Sequence, residues 1–107
     1  MDYQANKIGS ELEQLGWTFI EKGQPSGSDI FNYWEYWIFS KHHKKLCLTY
    51  IIDSDYSGPP KKEHVYAVDA SLEDQGMNDT NIRQLYIGRG WEKDLGTFLI
   101  EITRATN

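Results

Sequence analysis

Hydrophobic residues follow two different periods along this chain, one typical of helices and one typical of strands. In residues 3–15, apolar side chains recur at spacings of four and three, at Ile8, Leu12 and Leu15, which predicts an amphipathic helix ending before Gly16. A second helix is predicted over residues 91–103, from the stripe Trp91, Leu95, Phe98, Leu99 and Ile102. Gly96 within this helix is expected to allow close packing on the sheet. Between these helices, β-rich segments predict strands at 17–21, 33–39, 46–52, 65–70 and 82–87.

The predicted order is therefore α-β-β-β-β-β-α. The connections between strands are too short for crossover helices, so we predict a mainly antiparallel sheet of about five strands in a single α+β domain, residues 1–107. The hairpin Tyr33–Asp53 is expected to form its centre, with Ser40–Lys44 as a turn too long for a two-residue connection. Ser71–Gln75 is expected to form one helical turn. Both helices should cover one face, which leaves the other open.

Aromatic residues are concentrated in the first strand of that hairpin. Aromatic side chains make up 14% of the chain, and five of them fall within Tyr33–Phe39. Alternation places Trp34, Tyr36 and Ile38 on one side and Tyr33, Glu35, Trp37 and Phe39 on the other. The charge of Glu35 favours the second set as the open side, and an exposed aromatic patch usually marks a contact surface. The alternative is that loops or curling of the sheet bury both sides.

Charge is unevenly distributed. The formal net charge is −5 from 11 Lys+Arg and 16 Asp+Glu, with excess acid before residue 36 and after residue 62 and excess lysine between them. This balance makes nucleic acid an unlikely partner and fits a basic protein partner. Lys41–Lys45 and Lys61–Lys62 beside aromatic residues suggest single-stranded nucleic acid as a weaker alternative.

Cys47 is the single cysteine, so no internal disulfide is possible, and its apolar run predicts a buried thiol. A cytoplasmic location is expected by default. Residues 1–16 lack the apolar core of a signal peptide, and no stretch is long enough to cross a bilayer, so no membrane partner is expected.

Few residues of the chain suggest a metal, nucleotide-binding or catalytic site. The spacing of His42, His43, Cys47 and His64 matches no usual zinc pattern, so no metal or cofactor is predicted. Gly88-Arg89-Gly90 lacks the context of a nucleotide-binding loop and predicts a tight turn. Asp53 and Asp55 with His64 give the least favoured alternative, a metal-dependent hydrolase.

We therefore predict a small, acidic, non-enzymatic protein-binding module. In size, acidity and helix-sheet-helix layout the chain is similar in kind to bacterial immunity proteins, antitoxins and phage-encoded inhibitors. This resemblance is general and does not identify binding or catalytic residues in the chain. An inhibitor that blocks a basic partner is the leading hypothesis, and a small-ligand domain with a pocket between sheet and helices is the alternative. The open face would also permit a homo-oligomer. The predicted binding residues are the anchors Tyr33, Glu35 and Trp37 and the acidic rim Asp53, Asp55 and Tyr56.

Overall fold

The computed structural model describes residues 2–24, 33–52, 62–74 and 80–106, with the side chains of Asp2, Lys62, Glu73, Asp74, Thr80 and Asn81 left out. They form two helices and five strands. In chain order these are α1 (Asp2–Gln14), β1 (Thr18–Gly23), β2 (Tyr33–Lys41), β3 (Lys44–Ile52), β4 (Val65–Asp74), β5 (Thr80–Tyr86) and α2 (Glu92–Thr106), with a short 3₁₀ turn at Lys62–His64 before β4. The predicted α+β class and element order are confirmed.

All five strands form one antiparallel sheet in the order β1-β2-β3-β4-β5, so every strand pairs with its neighbours in sequence. The hairpin predicted to lie at the centre does so, with β3 as the middle strand. Four register shifts interrupt the ladders, one in each strand pair. Such bulges insert an extra residue and change which face the following side chains reach.

The core lies between the helices and one face of the sheet. Ala5, Ile8 and Leu12 from α1 and Leu95, Phe98 and Ile102 from α2 pack against buried strand residues, which include Phe39, Leu46, Leu48, Tyr50, Val68, Ala70 and Leu85. Both predicted helical stripes therefore meet the same face, which we call the helix face. The predicted contribution of Leu15 is wrong, because it follows the end of α1 and remains 38% exposed.

Two lysines from the β2–β3 hairpin bind the C-terminal ends of both helices. The ammonium of Lys41 donates a hydrogen bond to the carbonyl oxygen of Leu15, at 2.6 Å. The ammonium of Lys44 donates to the carbonyl oxygen of Thr106, at 3.1 Å. The last carbonyls of a helix lack partners within it and carry partial negative charge. Part of the basic run that suggested a nucleic-acid edge is therefore used to cap the helices.

The hairpin turn is shorter than predicted. Lys41 pairs with Lys44, so only His42 and His43 lie between the strands. Both have positive φ angles, 51° and 69°, as a two-residue type I′ turn requires. Histidine is among the non-glycine residues enriched in this left-handed region, which explains how a turn without glycine can be so tight.

Two further predictions are wrong. The helical turn predicted over Ser71–Gln75 is not formed through Asp74, because β4 continues to that residue and Ser71 lies in the ladder opposite Cys47. Gly96 was expected to permit close packing of α2 on the sheet, but a β-carbon added there meets nothing within 4 Å and the residue is exposed.

Among the described residues, neither helix is long and apolar enough to span a membrane.

Candidate functional site

A bulge in β2 decides which face each aromatic residue of that strand reaches. Tyr33 pairs with Ile51, whereas Glu35 pairs with Tyr50, so Trp34 is the extra residue between two ladder positions. After the bulge, Trp37 lies opposite Leu48 on the helix face. The prediction that Tyr33, Glu35 and Trp37 share one open side is therefore wrong, because the bulge changes the alternation after Tyr33.

On the helix face the bulge gathers four residues that we call the bulge cluster: Trp34, Glu35, Trp37 and Tyr50. The Tyr50 ring makes edge contacts with both indoles, with ring centroids 6.0 Å from Trp34 and 5.8 Å from Trp37. The indole Nε1 of Trp37 donates a hydrogen bond to Glu35 Oε1 at 2.9 Å, and Glu35 is only 9% exposed. This bond fixes the orientation of the Trp37 ring.

Tyr50 is the most strongly perturbed titratable group of the described part of the chain. Burial, and secondarily the negative charge of Glu35, raise the pKa of its phenol far above the ordinary value. Its hydroxyl is buried and has no hydrogen-bond partner among the described residues. An unsatisfied buried hydroxyl of this kind costs stability and calls for an explanation.

Next to the bulge cluster, a groove of about 370 Å³ separates α1 from β1 and β2. Its residues are aromatic on the sheet side and small or polar on the helix side: Phe19, Lys22, Trp37 and Phe39 from the strands, and Asn6, Gly9, Ser10 and Glu13 from α1. We call this the aromatic groove. On its helix side the groove is lined by the small residues Gly9 and Ser10 of α1, which leave space between this helix and the first two strands.

The aromatic rings of this groove are held by contacts with one another. Phe19 makes edge contacts with Trp37 and Phe39, each with centroids 5.6 Å apart. The Lys22 ammonium lies 5.5 Å from the centroid of Trp37, within the range of a cation–π interaction. Phe19 remains 39% exposed, so the groove presents an ordered apolar surface to solvent with polar groups at its rim.

β1 also forms an edge of the sheet, but its features oppose pairing with another strand. A bulge at Ile20 shifts the register between Phe19 and Glu21, and two adjacent charged residues, Glu21 and Lys22, follow it. Bulges and charges are the usual means by which edge strands avoid unwanted pairing. The binding potential of this region therefore lies in the groove beside β1 rather than along its backbone.

The face opposite the helices, which we call the outer face, carries aromatic, aliphatic and polar side chains. Tyr33 and Tyr36 make a ring contact there at 6.4 Å, and Ile38, Cys47, Thr49 and Ile51 follow along β2 and β3. Cys47 is half-buried with its Sγ 3.8 Å from Thr49 Oγ1, so the prediction of a buried core thiol is wrong. Of the predicted anchors, only Tyr33 lies on this face.

The remaining predicted residues give little support to a chemical site. Asp53, Asp55 and Tyr56 lie outside the described residues, so the acidic rim and the hydrolase alternative cannot be placed; His64 is half-buried at the end of the 3₁₀ turn. In the described ranges no three His, Cys, Asp or Glu side chains come close enough to hold a metal ion. Residues 88–91 form the predicted tight turn, with the amide of Trp91 donating to the carbonyl of Gly88.

Phe19, Lys22, Phe39 and Gly9 lie on one surface that the sequence pattern did not predict. One signal was available, because Gly9 follows Ile8 on the apolar side of α1, where a helix seldom places glycine without a packing reason.

No protein-family model, curated protein or solved structure matches this chain.

Proposed function

We propose that this chain is a non-enzymatic protein-binding module of the inhibitor type, which holds a basic protein partner in the aromatic groove with Trp37 as its anchor. The supporting observation is a partly exposed, ordered set of rings in a groove of about 370 Å³. Binding hot spots are enriched in tryptophan and lie in well-packed pockets. The proposal keeps Trp37 as an anchor in the groove and Glu35 as an anchor beside it, both on the helix face rather than the outer face.

The net charge of −5 supports a basic partner, because opposite charge accelerates encounter and fixes orientation. Glu13 contributes one acidic group at the groove rim and Glu35 another beside it. A cytoplasmic place of action belongs to the proposal, since a chain with one cysteine has no internal disulfide.

The experiment that tests the proposal compares three baits: the natural chain, Phe19→Ser, and Ile100→Ser as a matched control. Ile100 is an exposed apolar residue on α2 that is not part of the groove lining. Proteins captured by the natural chain are identified by mass spectrometry, and the affinity of the purified candidate is then measured for all three baits. We expect Phe19→Ser to weaken binding at least about tenfold, as hot-spot truncations do, and Ile100→Ser to leave it unchanged.

Circular dichroism must show that both variants are folded. If folded Phe19→Ser binds with full affinity, the groove is not the docking surface. Tyr36→Ala then tests the outer face, where loss of binding would indicate that the partner docks on the open side of the sheet.

A small-ligand function is the second candidate, because the groove lies between sheet and helix, where such a pocket was expected. Its volume falls within the range of ligand pockets, and Asn6, Ser10, Glu13 and Lys22 offer polar contacts around an apolar floor. A thermal-shift screen with a metabolite library tests it. A hit that stabilises the natural chain and Ile100→Ser but not Phe19→Ser would favour this function.

A further inference from the structure

The bulge cluster contains a carboxylate whose environment is poorly matched to its charge. Glu35 is about nine-tenths buried, and its hydrogen bond from Trp37 Nε1 engages only Oε1. None of the ion pairs among the described residues involves Glu35. A buried carboxylate is costly unless a cation or further hydrogen-bond donors compensate it.

The surroundings of this carboxylate are suited to a cation. Two indoles, Trp34 and Trp37, flank it in sequence and lie on the same face, and both are half-buried rather than enclosed. Indole faces attract cations, and the Lys22 ammonium already lies over Trp37 on the groove side. Tyr50, which pairs with Glu35 in the ladder, has a buried hydroxyl with no hydrogen-bond partner among the described residues.

We propose that the bulge cluster is the recognition site for an arginine side chain of the protein partner, with Glu35 as its counter-charge and Trp34 and Trp37 as stacking surfaces. The inference rests on the proposed protein-binding function and names the chemistry of the partner. The cluster adjoins the aromatic groove through Trp37, so one partner segment reaches both.

Arginine fits this site better than lysine for two reasons. Its planar guanidinium stacks on aromatic rings while donating hydrogen bonds in its own plane to a carboxylate. It is also more weakly hydrated than an ammonium, which lowers the cost of entering a site where the carboxylate is 9% exposed. The bulge that places Trp34 beside Glu35 is typical of positions next to functional sites.

The test uses three small probes of matched size: N-acetyl-arginine amide, N-acetyl-lysine amide and N-acetyl-citrulline amide, which is the uncharged analogue of arginine. The folded chain is titrated with each probe, and the ¹⁵N–¹H resonance of the Trp37 indole, which donates to Glu35, is followed by NMR. We expect a saturable shift with the arginine probe, binding of the lysine probe weaker by about tenfold, and no shift with citrulline.

Two variants locate the effect. Glu35→Gln keeps an oxygen that can accept the Trp37 bond but removes the charge, and should abolish the shift. Asp94→Asn removes an exposed acid on α2, outside the groove and the bulge cluster, and should not change it. Equal shifts with arginine and citrulline, or a shift that survives Glu35→Gln, would overturn the inference, as would no saturable shift at all. The comparison among probes needs only the natural chain, so the inference stays falsifiable if Glu35→Gln does not fold.

The outcome is separable from that of the proposed function. If the arginine probe gives no saturable shift while Phe19→Ser loses affinity for the partner, the aromatic groove is supported as the docking surface. The partner then places no arginine in the bulge cluster. If the probe binds while Phe19→Ser keeps full partner affinity, the arginine site in the bulge cluster is supported, and the aromatic groove is not the docking surface.

Discussion

Gly9 lies in the interior of α1 with its α-carbon against the aromatic groove, and replacing it with alanine gives a quantitative test of this packing. A β-carbon at that position would lie 3.7 Å from Phe39 Cζ and 3.7 Å from Trp37 Cζ3. These are ordinary van der Waals separations, so the new methyl group should contact both rings without displacing them.

Two contributions to the free energy of unfolding follow from this geometry. Alanine is about 1 kcal/mol more favourable than glycine in a helix interior. A buried methyl group adds up to about 0.8 kcal/mol of apolar burial. Gly9→Ala should therefore stabilise the chain by about 1–2 kcal/mol, whereas Gly96→Ala, whose β-carbon meets nothing within 4 Å, should gain only the helix contribution of about 1 kcal/mol.

The assay is thermal and urea unfolding of the natural chain and both variants, followed by circular dichroism. For a domain of this size each 1 kcal/mol should raise Tm by about 4 °C or more. The difference between the variants measures the contact of the new methyl group with the rings. If Gly9→Ala were less stable than the natural chain while Gly96→Ala gained stability, α1 would have to lie closer to the strands than described. The described geometry of the aromatic groove would then be wrong.

Three further predictions concern the helix cap, the buried phenol and the outer face. Lys44→Met removes the hydrogen bond to the Thr106 carbonyl and should lower stability by about 1 kcal/mol in urea unfolding, and an unchanged midpoint would show that the cap contributes nothing. The pKa of Tyr50 is raised, so the folded chain keeps a proton that the unfolded chain releases above about pH 10, and stability should fall as pH rises beyond that value. Tyr50→Phe should flatten this alkaline decline, and an equally steep decline in the variant would contradict the assignment. Gly23→Ala would force a methyl group into the Tyr36 ring and should cost about 1–3 kcal/mol, a loss that should disappear in a Tyr36→Ala background if the overlap is its cause.

The helices and strands could be predicted because their patterns are long and agree with local signals. Ile8 and Leu12 in α1, and Leu95, Phe98 and Ile102 in α2, recur at helical spacing and all five are buried. The alternation of Leu46, Leu48, Tyr50 and Ile52 in β3 likewise matches burial on the helix face. Short connections then allowed only an antiparallel arrangement.

The candidate site could not be predicted because it depends on one inserted residue. Alternation assumes an unbroken strand, and the bulge at Trp34 transfers Glu35 and Trp37 to the face opposite the one assigned to them. The capping roles of Lys41 and Lys44 were equally hidden, because they join a turn to helix ends 26 and 62 residues away in sequence. No local pattern reports such distant contacts, and charge alone made these lysines look like surface groups.

The strictly sequential strand order has a consequence for how this chain acquires its structure. Each ladder closes between segments adjacent along the backbone, so the sheet can grow outward from β3 through short loops without a slow search for distant partners. We expect the two ends of the chain to join last, when α1 and α2 dock over the finished sheet. Substitutions in β3 should accordingly slow folding, whereas those in α1 should mainly speed unfolding.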